Sequence, residues 1–183
     1  MRTIFTIGHS TRSFDEFAAL LRSAGVDLVL DVRRFPGSRR QPQFNRENLS
    51  GALRSLGIGY AHLPDLGGRR TSERSTHNLF WRNKSFRAYA DYMGSDGFQT
   101  ALGQVLVAAE TRTPALMCAE AMPWRCHRQL IADALVARGA RVRHLLGEGR
   151  VDAHALNAAA VISPSGAVHY PGKASDQGTL FGA

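Results

Sequence analysis

The stretch TIFTIGHSTRSFDEFAALLRSAGVDLVLDV, residues 3–32, decides the fold. Its first five residues, Thr3 to Ile7, are β-branched or aromatic and stop at Gly8, which is the composition of a short buried strand ending in a loop. Ser13 then offers a hydroxyl to cap a helix, and Glu16, three residues on, can return the bond to the cap's own N–H. Phe14, Phe17, Ala18, Leu20 and Leu21 lie on one face of that helix. Gly25 ends it, and the apolar run from Asp27 to Val32 predicts a second strand. Strand, helix, strand in this order joins two parallel strands through a right-handed crossover.

Outward from this unit the alternation continues. Residues 33–45 (RRFPGSRRQPQFN) carry two prolines, one glycine and four arginines, too polar and broken for core, and read as an exposed basic loop. Asn45 caps a helix to about Leu56, and Ile58 to Leu63 is a third strand. Pro64 to Ser85 is irregular, of a length that compact domains keep for functional or mobile loops. Helices follow over 86–93 and 96–111, then a strand from Pro114 to Ala119, a helix from Pro123 to Arg138, a stop at Gly139, and a strand from Arg141 to Leu146. The expected fold is α/β and three-layered: a mostly parallel sheet of about five strands with helices on both faces. Residues 1–150 are expected to form a single domain and 151–183 an extension, with a flexible tail from about Ser163.

With 183 residues, 44% of them apolar, the chain suffices for one sizeable core. No stretch approaches the roughly 20 consecutive apolar residues of a membrane span, and no signal-like segment follows Met1, so no membrane association and a cytoplasmic location are expected. Two cysteines, Cys118 and Cys126, make neither a disulfide framework nor a four-ligand zinc site. No cofactor is expected, and nothing in the sequence supports a divalent metal. A net charge of +8 points to an anionic partner, nucleic acid first and nucleotides next, although a bias towards arginine also follows from base composition alone.

Ligands of open parallel sheets bind beyond the carboxyl ends of the strands, so the residues after each predicted strand carry the candidates. They are His9 and Ser10, Asp31 and Arg33, Tyr60, and Cys118 with Glu120. The richest segment is CAEAMPWRCHR, residues 118–128, where a strand end passes into a helix expected to open at Pro123. A helix start favours an anion, and Arg125 and Arg128 add positive charge, which predicts a phosphate cradle. Cys126 and His127 precede the inward Leu130 and Ile131, so both should point at the sheet. There Cys126 is either a nucleophile with a lowered pKa or a small core residue. The phosphatase spacing of cysteine, five residues, arginine fails, because Trp124 stands where the arginine belongs. Asp31 and Glu120 suit acid, base or glycosyl-type nucleophile roles, or salt bridges that orient Arg33 or Arg128. His9 suits a general base or a phosphate donor. Arg69, after Gly67 and Gly68, can close over a ligand or stay solvated. Near the end, Gln177, Leu180 and Phe181 resemble the short peptide by which bacterial DNA-processing proteins dock on the replication sliding clamp, which makes that clamp an expected partner.

Taken together, Thr6 to Ser10, Asp31 to Arg33 with Pro36 and Ser38, Tyr60 through Gly68, Cys118 to Glu120, and Cys126 to Arg128 resemble the bacterial domain-of-unknown-function 488 family over about residues 3–146. The family's biochemistry is unsettled, so the resemblance adds an assignment more than an activity. The leading expectation is an enzyme acting on a nucleotide or nucleic acid, of the kind used in DNA repair or phage defence, either a hydrolase or a glycosyl-type transferase. The alternatives are a non-catalytic nucleotide or nucleic-acid binding module and a cysteine-dependent redox or sulfur-transfer enzyme.

Overall fold

The computed structural model describes residues 2–71, 77–147 and 149–172. Strands β1 (Thr3–Gly8), β2 (Leu28–Asp31), β3 (Gly59–His62), β4 (Pro114–Cys118), β5 (Arg141–Gly147) and β6 (Arg150–Ala153) form one sheet in the order β3-β2-β4-β1-β5-β6. The first five run parallel; β6 joins antiparallel at the edge beyond β5. The architecture is the expected α/β one, with a sixth strand that the sequence pattern after Gly147 is too weak to announce.

Successive strand side chains point to opposite faces, and that alternation builds two core layers. Phe5, Ile7, Val29, Met117 and Leu145 pack with Phe17 and Leu21 of α1 (Phe14–Ser23) and with Leu49 and Leu53 of α2 (Arg46–Ser55). Ile4, Leu30, Leu116 and Val142 face the other way, onto α3 (Lys84–Tyr92), α4 (Asp96–Thr111) and α5 (Arg128–Ala137). Each fully buried Phe or Leu in these layers stabilises the fold by about 1.5–3 kcal/mol.

The capping box of α1 forms: Ser13 Oγ accepts the Glu16 N–H at 3.2 Å, and the Glu16 carboxylate accepts the Ser13 N–H at 2.7 Å. Asn45 precedes α2 without capping it; its Oδ1 accepts the Ser38 N–H at 2.6 Å and pins the basic loop instead. The helix expected over Pro123–Arg138 is in two pieces. A single 3₁₀ turn spans Pro123–Arg125, Cys126 is extended at φ −136° and ψ 149°, and α5 begins at Arg128. Leaving the helical region at Cys126 brings its sulfur against Cys118.

The chain beyond Ser163 is ordered further than its composition implies. β7 (Val161–Ile162) and β8 (Val168–His169) form a hairpin, and Tyr170 after it is fully buried against the core. Two-residue strands carry no readable period, so sequence reasoning passes over them. The clamp-type residues Gln177, Leu180 and Phe181 lie outside the described residues. Among the described residues no helix is long and apolar enough to cross a membrane.

β4 lies between β1 and β2, so the carboxyl ends of these three strands are neighbours. Backbone pairing continues past them: the His9 N–H donates to Cys118, Ser10 to Ala119 and Val32 to Met117, at 2.9–3.0 Å. The first two crossover helices cover one face and the later ones the other, which opens a crevice at this edge.

Candidate active site

A cleft of about 420 Å³ occupies the crevice, with His9, Arg33, Cys118, Cys126 and His127 on its inner surface and Arg34, Arg69, Glu120 and Arg125 exposed around it. Two close approaches shape it. A Cβ on Gly8 would run into the Glu120 backbone carbonyl, and one on Gly67 would stand 2.8 Å from the Arg34 backbone, so both positions require glycine.

Arg33 is held from several sides. Asp31, wholly buried, accepts its Nε at 2.9 Å and its Nη2 at 2.6 Å in a bidentate fork, and the Asp31 carboxylate also accepts the Tyr60 hydroxyl at 2.8 Å. Nη2 further donates to the Phe44 carbonyl at 2.7 Å, and Nη1 faces His9 Nε2 at 3.4 Å. His9 stacks on Phe44, and its Nδ1 donates to the Ser10 carbonyl at 2.9 Å, which leaves Nε2 as the acceptor turned to Arg33. Burial, with Arg33 beside the ring, lowers the His9 pKa to about 4. His9 is therefore a neutral prop for Arg33.

The thiols sit at the floor. Cys118 Sγ and Cys126 Sγ are 2.9 Å apart and both are free. Cys126 Sγ is 3.4 Å from His127 Nδ1 and accepts the Arg128 N–H at 3.5 Å; His127 Nε2 donates to the Val32 carbonyl at 3.1 Å. With Nε2 committed as donor, Nδ1 faces the sulfur and can share its proton. Below them Arg128 is 1% exposed and forms no ion pair among the described residues. It donates to the Thr6 hydroxyl at 3.3 Å and to the backbone carbonyls of Glu120 and Ala121, while its Nε has no partner among the described residues.

A buried guanidinium without a carboxylate needs another anion, because the desolvation cost of an unpaired charge is several kcal/mol. The acidic groups at hand are the two thiols. Burial disfavours the charge on Arg128, and the pull of Cys118 and Cys126 more than offsets it. Burial alone would raise the Cys126 thiol; the hydrogen bond from Cys118, the charge of His127 and that of Arg128 outweigh it and hold this thiol well below its usual range. Burial, and its bond to Cys126, push Cys118 well up. The surroundings thus push the two sulfurs apart, Cys126 towards the thiolate and Cys118 towards the thiol.

Arg128 is itself tied to a buried polar chain. Thr6 Oγ1 meets His144 Nδ1 at 2.7 Å, His144 Nε2 meets His154 Nδ1 at 3.0 Å, and His154 Nε2 meets Asp133 Oδ1 at 2.8 Å. The Tyr170 hydroxyl donates to Asp133 Oδ2 at 2.6 Å and the Asn157 N–H to Oδ1 at 3.0 Å. Burial, His154 and Arg128 lower the His144 pKa to about 4, so its ring is neutral. The carboxylate at the far end then assigns every proton: His154 donates to Asp133, His144 to His154, Thr6 to His144, and Arg128 to Thr6. All donors point one way, each polarising the next.

Of the residues expected from sequence, the cleft gathers His9, Arg33, Arg69, Glu120, Arg125, Cys126 and His127. Asp31 and Tyr60 stand behind Arg33, and Arg128 lies beneath the thiols. Ser10 is not among the lining residues; it takes a left-handed φ of 49° to make the turn after β1. Glu120 reaches Arg128 through its backbone carbonyl, and its carboxylate makes no ion pair among the described residues. The helix start expected at Pro123 is absent, and the N–H at the true start, Arg128, is turned to the Cys126 sulfur. Sequence reasoning missed Arg34, Phe35, Phe86 and Tyr89 on the cleft wall, and the Thr6–His144–His154–Asp133 chain. Arg34 and Phe35 stand in the basic loop next to Arg33; the chain joins positions up to 138 residues apart and has no local signature. Among the described residues no group of three His, Cys, Asp or Glu side chains is placed to hold a metal ion.

Fold and cleft together define a three-layer α/β protein with a buried thiol pair and an arginine-rich rim at the carboxyl edge of its sheet. The family model described as domain of unknown function DUF488 matches residues 13–135, and the chain belongs to that family. No curated protein and no solved structure matches it. The matched span holds every residue that lines the cleft except His9.

Proposed function

We propose that the protein is an enzyme that acts on a phosphate-bearing substrate of the nucleotide or nucleic-acid class, with Cys126 as nucleophile. The observation that carries this reading is Arg128: a buried cation with no ion pair among the described residues, whose N–H meets the Cys126 sulfur at the floor of a cleft rimmed by arginines. A resting thiolate that requires such a device to exist is an activated nucleophile. Arg34, Arg69 and Arg125 form no ion pairs among the described residues, so their charges are available to phosphate oxygens even though Arg34 Nη1 donates to the Arg69 carbonyl, whereas the charge of Arg33 is already matched by Asp31. Exposed Phe35 and half-buried Phe86 on the wall offer flat apolar surfaces for a base.

In the reaction, the Cys126 sulfur forms a bond to the electrophilic centre as the bond to the leaving group breaks. The leaving group takes the proton shared between Cys126 and His127. Water then attacks the intermediate, gives a proton to His127 Nδ1, and releases the sulfur as thiolate. Asp31 and His9 hold Arg33 and take no proton from substrate. The test is a thermal-shift screen of the full chain against nucleotides, sugar phosphates and inorganic phosphate, followed by turnover assays on every ligand that raises the melting temperature. Cys126→Ser should keep the shift and lose turnover. A screen in which no phosphate-bearing compound moves the melting temperature, or turnover that survives Cys126→Ser, ends this reading.

A further inference from the structure

The second thiol forms no bond to substrate in that chemistry, yet it is placed against the first. Cys118 ends β4 and Cys126 precedes α5; both are buried, both line the cleft, and their sulfurs are 2.9 Å apart. A disulfide bond of about 2.0 Å needs less than 1 Å of further approach. The two sulfurs also differ in their surroundings: Cys126 Sγ accepts the Arg128 N–H and faces His127 Nδ1, whereas Cys118 Sγ meets Cys126 and the Glu120 carbonyl.

We infer that Cys118 and Cys126 form a reversible intramolecular disulfide that hydrogen peroxide writes and a dithiol erases. This rests on the Cys126 thiolate of the proposed function, though not on any substrate. The Cys126 thiolate attacks one peroxide oxygen; the O–O bond breaks, the departing hydroxide takes a proton from solvent and leaves as water, and Cys126 becomes a sulfenic acid. The Cys118 sulfur then attacks the Cys126 sulfur. The S–O bond breaks, the hydroxyl departs with the Cys118 proton as a second water, and the S–S bond is made. Two electrons pass from the sulfur pair to the peroxide. A dithiol returns them by exchange.

The surroundings set the direction in which this equilibrium leans. Oxidation neutralises the Cys126 thiolate and leaves Arg128 buried without a counter-anion among the described residues, since its remaining bonds go to Thr6 and two backbone carbonyls. The reduced state is thereby stabilised, and the disulfide is of the readily reduced, regulatory kind rather than the structural kind. Formation of the bond removes the nucleophile from the cleft; reduction restores it.

The full-length chain, fully reduced and freed of reductant, should be treated with hydrogen peroxide in the absence of substrate and followed by thiol titration, intact mass and peptide mapping. Both thiols should disappear together with the loss of two hydrogens, map to a Cys118–Cys126 linkage within one chain, and return with dithiothreitol. Cys118→Ser should instead accumulate a Cys126 sulfenic acid that dimedone traps. In glutathione buffers, Arg128→Met should stay oxidised at a ratio at least about tenfold more reducing than wild type. Peroxide that leaves both wild-type thiols titratable, or that carries wild-type Cys126 to the sulfinic acid as fast as in Cys118→Ser, overturns the inference, as does a linkage between chains. A chain that forms the disulfide but binds no phosphate compound would refute the substrate reading alone. One that binds and turns over a nucleotide while resisting oxidation would refute this inference alone.

Discussion

Replacing Arg128 by methionine tests the electrostatic core of the site. The side chain is wholly buried, of similar length, and flanked by Thr6, Cys118 and Cys126, so methionine fills the space while removing the charge. Opposite unit charges about 4 Å apart at an effective dielectric near 20 attract by about 4 kcal/mol, which corresponds to about three pKa units and sets the upper bound. Cys118 and His127 remain as donors to the Cys126 sulfur, so the midpoint of its titration is expected to rise by about one to three pH units. Folding stability should change far less. The variant loses three hydrogen bonds to Thr6, Glu120 and Ala121, each worth about 1 kcal/mol, and is relieved of the cost of burying a charge, which is of the same order or larger. The assay is the rate of iodoacetamide alkylation at Cys126, resolved from Cys118 by peptide mapping, across pH 4 to 10. Its companion is a urea melt. An alkylation midpoint that Arg128→Met leaves in place would refute the assignment of the thiolate as the counter-ion of Arg128.

Three further outcomes are expected. Gly8→Ala, which sets a methyl against the Glu120 carbonyl, should lower stability in chemical denaturation by about 1–3 kcal/mol and displace the loop that carries Glu120. Asp31→Asn strips the buried partner from Arg33 and should cost about 3–5 kcal/mol in the same measurement, with weaker phosphate binding in a thermal-shift titration. His9 and His144 are neutral in the fold with pKa values lowered to about 4 from 6.5. Between those values the unfolded chain binds protons that the folded one refuses, so stability should fall as pH drops from about 6.5 to about 4 and be insensitive to these groups above that window. His144→Gln and His9→Gln should each flatten the slope; a wild-type melting temperature constant from pH 7 to pH 4 would contradict the assigned neutral rings.

The fold was legible where period and punctuation agree. The capping box at Ser13 and Glu16, the stop at Gly25 and the apolar runs at the first two strands each carry their own physical signal, and each appears where expected. The break at Cys126 was not legible, because Pro123 opens a 3₁₀ turn as readily as an α-helix, and the choice is made by what the cysteine side chain meets across the sheet. Tyr170 shows the same limit: an aromatic residue among Ser, Gly and Pro reads as tail, and the partners that make its burial favourable, the Asp133 carboxylate, Asn78 and the Trp81 ring, lie far away in the chain. Of the site, the segments were legible and the pairings were not. Both Asp31 and Glu120 read as carboxylates able to orient an arginine; the structure gives that task to the Asp31 side chain and to the Glu120 backbone.

The buried chain explains why a strand position as interior as Thr6 is polar. Its neighbours Ile4, Phe5 and Ile7 are aliphatic or aromatic and belong to the two core layers. An aliphatic residue at position 6 would give the Arg128 Nη1 no acceptor and the His144 Nδ1 no donor, and each buried group left unmet costs about 1–3 kcal/mol. The oxygen of threonine meets both needs at once, and it fixes the position of the guanidinium. The order runs on through His144 and His154 to Asp133, whose carboxylate is itself fixed by the Asn157 N–H and the Tyr170 hydroxyl. The family match ends at residue 135, so it includes the thiols, Arg128 and Asp133 but stops short of His144, His154 and Tyr170. The strands and hairpin after α5 are therefore part of the site's architecture: they set the far end of a hydrogen-bonded line whose near end is the charge beneath Cys126.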